Sequence, residues 1–75
     1  MRLDFNGKEK KMLQEEGIEV NEGKEYSEDE ALDILERVYA VEAMYSDLPN
    51  GDPRGAKADA FARLADKIAE MIPEV

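Results

Sequence analysis

Ser27-Glu28-Asp29-Glu30-Ala31-Leu32-Asp33-Ile34-Leu35-Glu36-Arg37-Val38-Tyr39-Ala40-Val41 is the stretch whose reading decides the fold. It opens with a capping box: the Ser27 hydroxyl can accept from the amide of Glu30 while the Glu30 carboxylate reaches back to the amide of Ser27. Three acids in the first turn complement the positive end of the helix dipole. From there Ala31, Ile34, Leu35, Val38, Tyr39, Val41 and Tyr45 recur at three- and four-residue spacing, which predicts an amphipathic helix over 27–46. Asp29, Asp33, Glu36 and Arg37 take its opposite side.

Downstream, residues 47–53 form a loop in which Pro49-Asn50-Gly51 turns the chain and Asp52-Pro53 restarts a helix. Asp52 is the expected N-cap, and Pro53 at the first helical position loses no hydrogen bond. Ala60, Phe61, Leu64, Ala65, Ile68, Met71 and Ile72 then share one face of a helix over 53–72, with Asp59, Arg63, Asp66 and Glu70 on the other and Pro73 ending it. A short loop between two long helices predicts an antiparallel hairpin. Counting outward from the loop centre sets Val41 opposite Ala60 and Phe61, Val38 opposite Leu64, and Ile34 near Ile68.

Upstream, residues 1–26 are mixed. Leu3 and Phe5 alternate with charged neighbours as a short strand would. Asn6 followed by Glu9 is a variant capping box, and it predicts a short helix over Lys8–Glu16. Gly17 is placed to end that helix in the left-handed conformation, with Ile18 folding back on Leu13. Ile18-Glu19-Val20 alternates again as a strand, Asn21-Glu22-Gly23-Lys24 makes a turn, and Glu25-Tyr26 offers a weak second hairpin arm. The expected class is therefore α+β and mostly helical. A short N-terminal strand/helix/strand element packs on the two-helix antiparallel hairpin, and residues 1–75 form a single small domain.

Composition narrows the chemistry. The chain has 75 residues, no cysteine, histidine or tryptophan, and 19 acidic against 10 basic side chains, a formal charge of −9. Such a length supports one small core. Without cysteine or histidine there is no thiolate nucleophile, no Ser-His-Asp triad, no disulfide and no zinc site of the usual N/S type. Asp47, Asn50 and Asp52 surround Gly51, yet Pro49 and Ala58 occupy the third and twelfth positions of the calcium-loop pattern, where ligands are required. The glycines at 51 and 55 precede a helix, but Asp52 puts a carboxylate where a phosphate would sit and no Gly-Lys-Ser/Thr follows. The expectation is no enzyme, no cofactor and no metal. Net negative charge opposes direct binding to nucleic-acid phosphates or an anionic membrane. The basic run Lys8, Lys10 and Lys11 is interleaved with acids and reads as an exposed helix face. Residues 1–6 are interrupted by charge, unlike a signal peptide, and no apolar run is long enough to span a bilayer, so the expected location is cytoplasmic.

Residues that break their local pattern supply the functional candidates. Glu42 and Lys57 each fall within an apolar arc near the open end of the hairpin, and the pair is expected to form a structural Glu42–Lys57 ion pair. Residues 27–48 carry seven acids and one base, a net −6, against −2 for residues 1–26 and −1 for 49–75. Asp29, Asp33 and Glu36 lie along one stripe of the acidic helix, while Tyr39 sits at the rim of the apolar arc and Met44 outside it. These five form the candidate partner surface. The expected function is a small acidic, noncatalytic protein–protein interaction or accessory module, with a protein partner or a homodimer. The alternative is an acidic decoy or inhibitor that occupies the basic nucleic-acid-binding site of another protein.

Overall fold

The computed structural model describes residues 1–21 and 23–72. Helix α1 (Gly7–Glu15) starts where Asn6 stays extended: its Oδ1 accepts from the Glu9 amide at 2.8 Å, and the Glu9 carboxylate accepts from the Asn6 amide at 2.9 Å. It stops at Gly17, whose φ of 76° lies in the left-handed region that a side chain disfavours. The Gly17 amide donates to the Gln14 carbonyl and the Ile18 amide donates to the Leu13 carbonyl at 2.9 Å, so the last carbonyls are satisfied and the chain reverses.

Helix α2 (Glu28–Ser46) carries the expected reciprocal cap, with both Ser27–Glu30 bonds at 3.1 Å. The amide bond from Ser27, followed by that residue's side chain, holds the Glu30 carboxyl below its ordinary range. After the loop, Asp52 caps through the Arg54 amide at 2.9 Å. The chain first makes a tight 3₁₀ turn, Pro53–Gly55, and only then helix α3 (Ala56–Met71). Tight first turns of this kind are frequent at helix starts. Pro73, the expected stop, and Glu22, in the expected turn, lie outside the described residues.

The α+β expectation is corrected: among the described residues there are three α-helices and no strand or sheet. The alternation at both expected strands buries side chains without building a ladder. Leu3, Phe5 and Ile18 are buried and Val20 is half-buried, yet the backbone makes only one isolated antiparallel bridge among the described residues, Arg2 with Glu25. It is reinforced where the Tyr26 amide donates to the Met1 carbonyl at 2.7 Å and the Met1 amino group donates to the Tyr26 carbonyl at 2.8 Å. The bridge does not lengthen, because in this antiparallel register Leu3 and Asp4 would face Lys24 and Gly23, where the chain is already turning: Gly23 has a φ of 76° and the Lys24 amide donates to the Asn21 carbonyl at 3.4 Å. The extended Ile18–Val20 segment instead leads to Asn21, whose amide donates to the Tyr26 hydroxyl at 2.8 Å.

The core lies between α2 and α3 and is closed by the N-terminal segment. Ala31, Ile34, Leu35 and Val38 meet Phe61, Leu64, Ala65 and Ile68, while Leu3, Phe5, Leu13, Ile18 and Tyr26 cover them. No polar or charged residue is buried among the described residues. Apart from the buried Leu13 and the half-buried Met12, α1 is tied down by polar contacts near its two ends. At the start, Lys67 of α3 meets the Glu9 carboxylate at 2.6 Å and lies 5.8 Å over the Phe5 ring. Burial pushes the Glu9 carboxyl up, but the Lys67 hydrogen bond, the Asn6 amide and the Lys67 charge together hold it below its ordinary 4.5. No helix among the described residues is long and apolar enough to cross a membrane.

Two stability changes follow. Gly17→Ala places a side chain at a left-handed position and should cost about 1–2 kcal/mol, read by chemical denaturation. A depressed carboxyl contributes stability above its unfolded pKa and loses it as pH falls through the folded value. Glu9→Gln keeps the capping geometry and removes the charge, so the variant should be less stable than the parent at pH 7. That deficit should vanish as pH drops below the folded Glu9 pKa. A deficit independent of pH would mean that the Glu9–Lys67 pair contributes nothing to folding.

Candidate functional site

The outer side of α2 presents four of the five expected partner residues among its exposed positions without a side-chain bond to another described residue. Asp29, Glu36, Tyr39 and Met44 are all exposed, and Asp33 is exposed but paired with Arg37 one turn later at 3.1 Å. The Arg37 guanidinium therefore engages one member of the acidic stripe. Leu32, Tyr39 and Met44 are exposed by 45%, 47% and 52%, and they are the large exposed apolar side chains among the described residues. All three belong to α2. At helical spacing Leu32, Tyr39 and Ala43 share one stripe, Asp33, Arg37, Ala40 and Met44 share another, and Asp29 with Glu36 forms the acidic row between them. Tyr39 and Met44 thus flank the acids from two sides.

Leu32 was not among the expected residues. A large apolar side chain outside the apolar arc is the same signal that Met44 gives, and Leu32 next to Ala31 gives it too. Surface-exposed apolar residues are ordinary when scattered singly and informative when gathered on one element.

Glu42 and Lys57 are not brought into an ion pair. Glu42 is half-buried on α2, whereas the Lys57 ammonium lies 5.5 Å over the Tyr45 ring. The register that sets Val38 against Leu64 continues to Tyr45 against Lys57, and Glu42 is nearly a full turn further from the loop. Tyr45 is the junction of this end of the fold. Its ring stacks on Phe61 with centroids 5.9 Å apart and planes 11° from parallel, and its hydroxyl donates to the Glu16 carboxylate. That bond, with added burial and the nearby Glu16 charge, pushes the phenol above its ordinary 10.

Beside this junction lies a second surface that composition and periodicity did not reveal. A half-open groove of about 260 Å³ runs between α1 and the first half of α3. On the α1 side it is lined by Lys8, Met12, Glu15 and Glu16, which fall on one face at helical spacing. The α3 side contributes Ala56, Lys57, Ala60 and the buried ring of Phe61. Apolar atoms make up nearly all of its wall and floor, with charges at the rim. Its cause is volume: Met12 and Phe61 are large, but the α3 alanines between them leave space that no other side chain enters. No sequence signal locates the groove, because it depends on where α1 settles against the hairpin.

Chemistry elsewhere is sparse. Among the described residues no cluster of three or more carboxylates is arranged to hold a metal ion. In the interhelical loop the Asp52 carboxylate is engaged by Arg54, with Nη2 at 2.9 Å and Nε at 3.2 Å, and it is held below its ordinary range first by that side-chain bond. No protein-family model matches the chain, and neither a curated protein nor a solved structure matches it, so the functional reading rests on these two surfaces.

Proposed function

We propose that this chain is a noncatalytic protein–protein interaction module of the cytoplasm that engages a partner through the outer face of α2. The observation that carries the reading is that Leu32, Tyr39 and Met44 are gathered on the same helix that holds most of the negative charge. Apolar side chains in that position cost solubility and return nothing to the core, whereas an interface uses them as anchors inside a polar rim. The surrounding acids favour a partner whose facing surface is basic, since complementary charge speeds encounter and sets register.

The alternative, an acidic decoy for a basic nucleic-acid-binding site, needs a continuous row of negative charge. The Asp33–Arg37 pair weighs against it, because a guanidinium at the edge of the row engages one of its three acids. The two readings separate in one experiment. Partners captured from native extract are compared for the parent chain, for Leu32→Ser/Tyr39→Ser/Met44→Ser, and for Asp29→Lys/Asp33→Lys/Glu36→Lys, at about 0.1 and 0.5 M salt. For the module, the apolar variant should lose the partner and capture should survive the higher salt. Loss with the charge-reversed variant and with salt, but not with the apolar variant, would establish the decoy and remove the module.

A further inference from the structure

We propose that the groove between α1 and α3 seats a short amphipathic helix of a partner protein, with apolar side chains in the groove, an acidic residue against Lys8 and a basic residue against Glu15. The inference rests on reading the chain as an interaction module and assigns it a second contact surface, one that shares no residue with the outer face of α2. Three observations carry it.

The first is capacity. At about 260 Å³ the groove falls below the about 300–1,000 Å³ of small-molecule sites, and its apolar wall suits one or two buried side chains. Helices are recognised in this way, with anchors three or four residues apart entering an apolar groove.

The second is the state of the rim charges. Of the four charged groups at the rim, Glu16 is engaged by the Tyr45 hydroxyl and Lys57 by the Tyr45 ring. Lys8 and Glu15 have no hydrogen bond or ion pair with any residue of the described chain. They are seven residues apart on one face of α1, about 10 Å along its axis at 1.5 Å per residue. A helix lying along the groove repeats that spacing with its own residues seven apart, leaving its third and fourth positions between them for the anchors.

The third is placement against the local rule. Lys8 stands in the first turn of α1 and Glu15 in the last, where the helix dipole favours the opposite signs. Neither charge therefore supports α1, although Asn6 and Glu9 on either side of Lys8 are placed for it. An oppositely charged pair from outside would relieve both.

A second copy of this chain fits the groove poorly. Each copy carries −9, and the exposed rows Asp29–Glu36 on α2 and Asp59–Asp66 on α3 repeat the same sign at seven residues. Arg63–Glu70, Glu30–Arg37 and the Lys8–Glu15 pair of α1 itself have mixed signs, but they enclose Asp66 and Lys67, Asp33 and the buried Ile34, and Lys11 and Met12, rather than two free apolar anchors.

The test uses three helical peptides that differ only at two positions seven apart, with leucines at the third and fourth positions after the first of them. One is Glu/Lys, one Glu/Glu and one Lys/Lys. Fluorescence anisotropy with the full chain should show the Glu/Lys peptide binding about ten-fold tighter than the other two. Lys8→Glu should move the preference to the Lys/Lys peptide, and Glu15→Lys to the Glu/Glu peptide. Ala56→Phe, at an exposed position, should fill the groove mouth and weaken all three while leaving the circular-dichroism melt in place. Tyr39→Ser should leave peptide binding unchanged, which keeps this result independent of the outer face of α2. Tightest binding of the Lys/Lys peptide to the parent chain would show attraction to net charge alone and overturn the proposal. So would absence of binding by all three peptides to a folded chain, or a dimer of the chain that Ala56→Phe dissolves.

Discussion

The burial of Leu13 beneath the N-terminal segment and against the hairpin is the constraint from which the rest of the arrangement follows. A pair of helices has a shared seam but also an open flank, and a chain of this size needs a further layer to exclude water from it. Leu13 is fully buried and supplies that closure, while its carbonyl accepts the amide of Ile18. One residue therefore anchors α1 from the side-chain end and sets the reversal at Gly17 from the backbone end. Because the reversal is fixed there, Ile18 returns to the core, Tyr26 follows, and Ser27 starts α2 with its apolar stripe already facing inward.

The polar ties at the two ends of α1 then decide where the helix lies on this seat. Glu9 meets Lys67 near the far end of α3, and Glu16 meets Tyr45 near the loop end of α2. Both ties are partly exposed, so their net energies are modest compared with the burial of Leu13. Their value is directional. They hold α1 across both hairpin helices instead of letting it sink against the alanines of α3, and the unfilled space beside Ala56 and Ala60 is the geometric result.

What could be read from the sequence divides along the same line between local and distant causes. Both capping boxes, the glycine stop at Gly17 and the two amphipathic stripes depend on residues within one or two turns, and each is present as expected. The strands at Leu3–Phe5 and Ile18–Val20 failed because alternation reports which side chains turn inward, not whether a backbone partner exists within reach. Here the turn at Gly23 and Lys24 takes the residues that a ladder from Arg2 and Glu25 would need. Lys57 illustrates a finer limit. Its apolar surroundings were legible, but which charged or aromatic group it meets depends on an interhelical register that a shift of one turn exchanges, from Glu42 to Tyr45. Tyr39 and Met44 were legible as exposed because each departs from its own helix's arc. The groove was not, since α1 and α3, far apart in the sequence, have to be brought together before it exists.

Under the proposed function, the two surfaces would divide the work of recognition by distance. Most of the −9 is carried by residues 27–48, and its field would reach a basic partner from beyond contact, within about 8 Å at physiological salt. A field of one sign attracts every basic surface nearly alike and so selects poorly. Selection needs features that oppose as well as attract, and the groove rim has them: Lys8 repels the very basic groups that the α2 acids draw in, while Glu15 accepts them only at the other end. A partner that satisfies both surfaces must therefore be basic where it faces α2 and of mixed charge, at a fixed spacing, where its helix enters between α1 and α3.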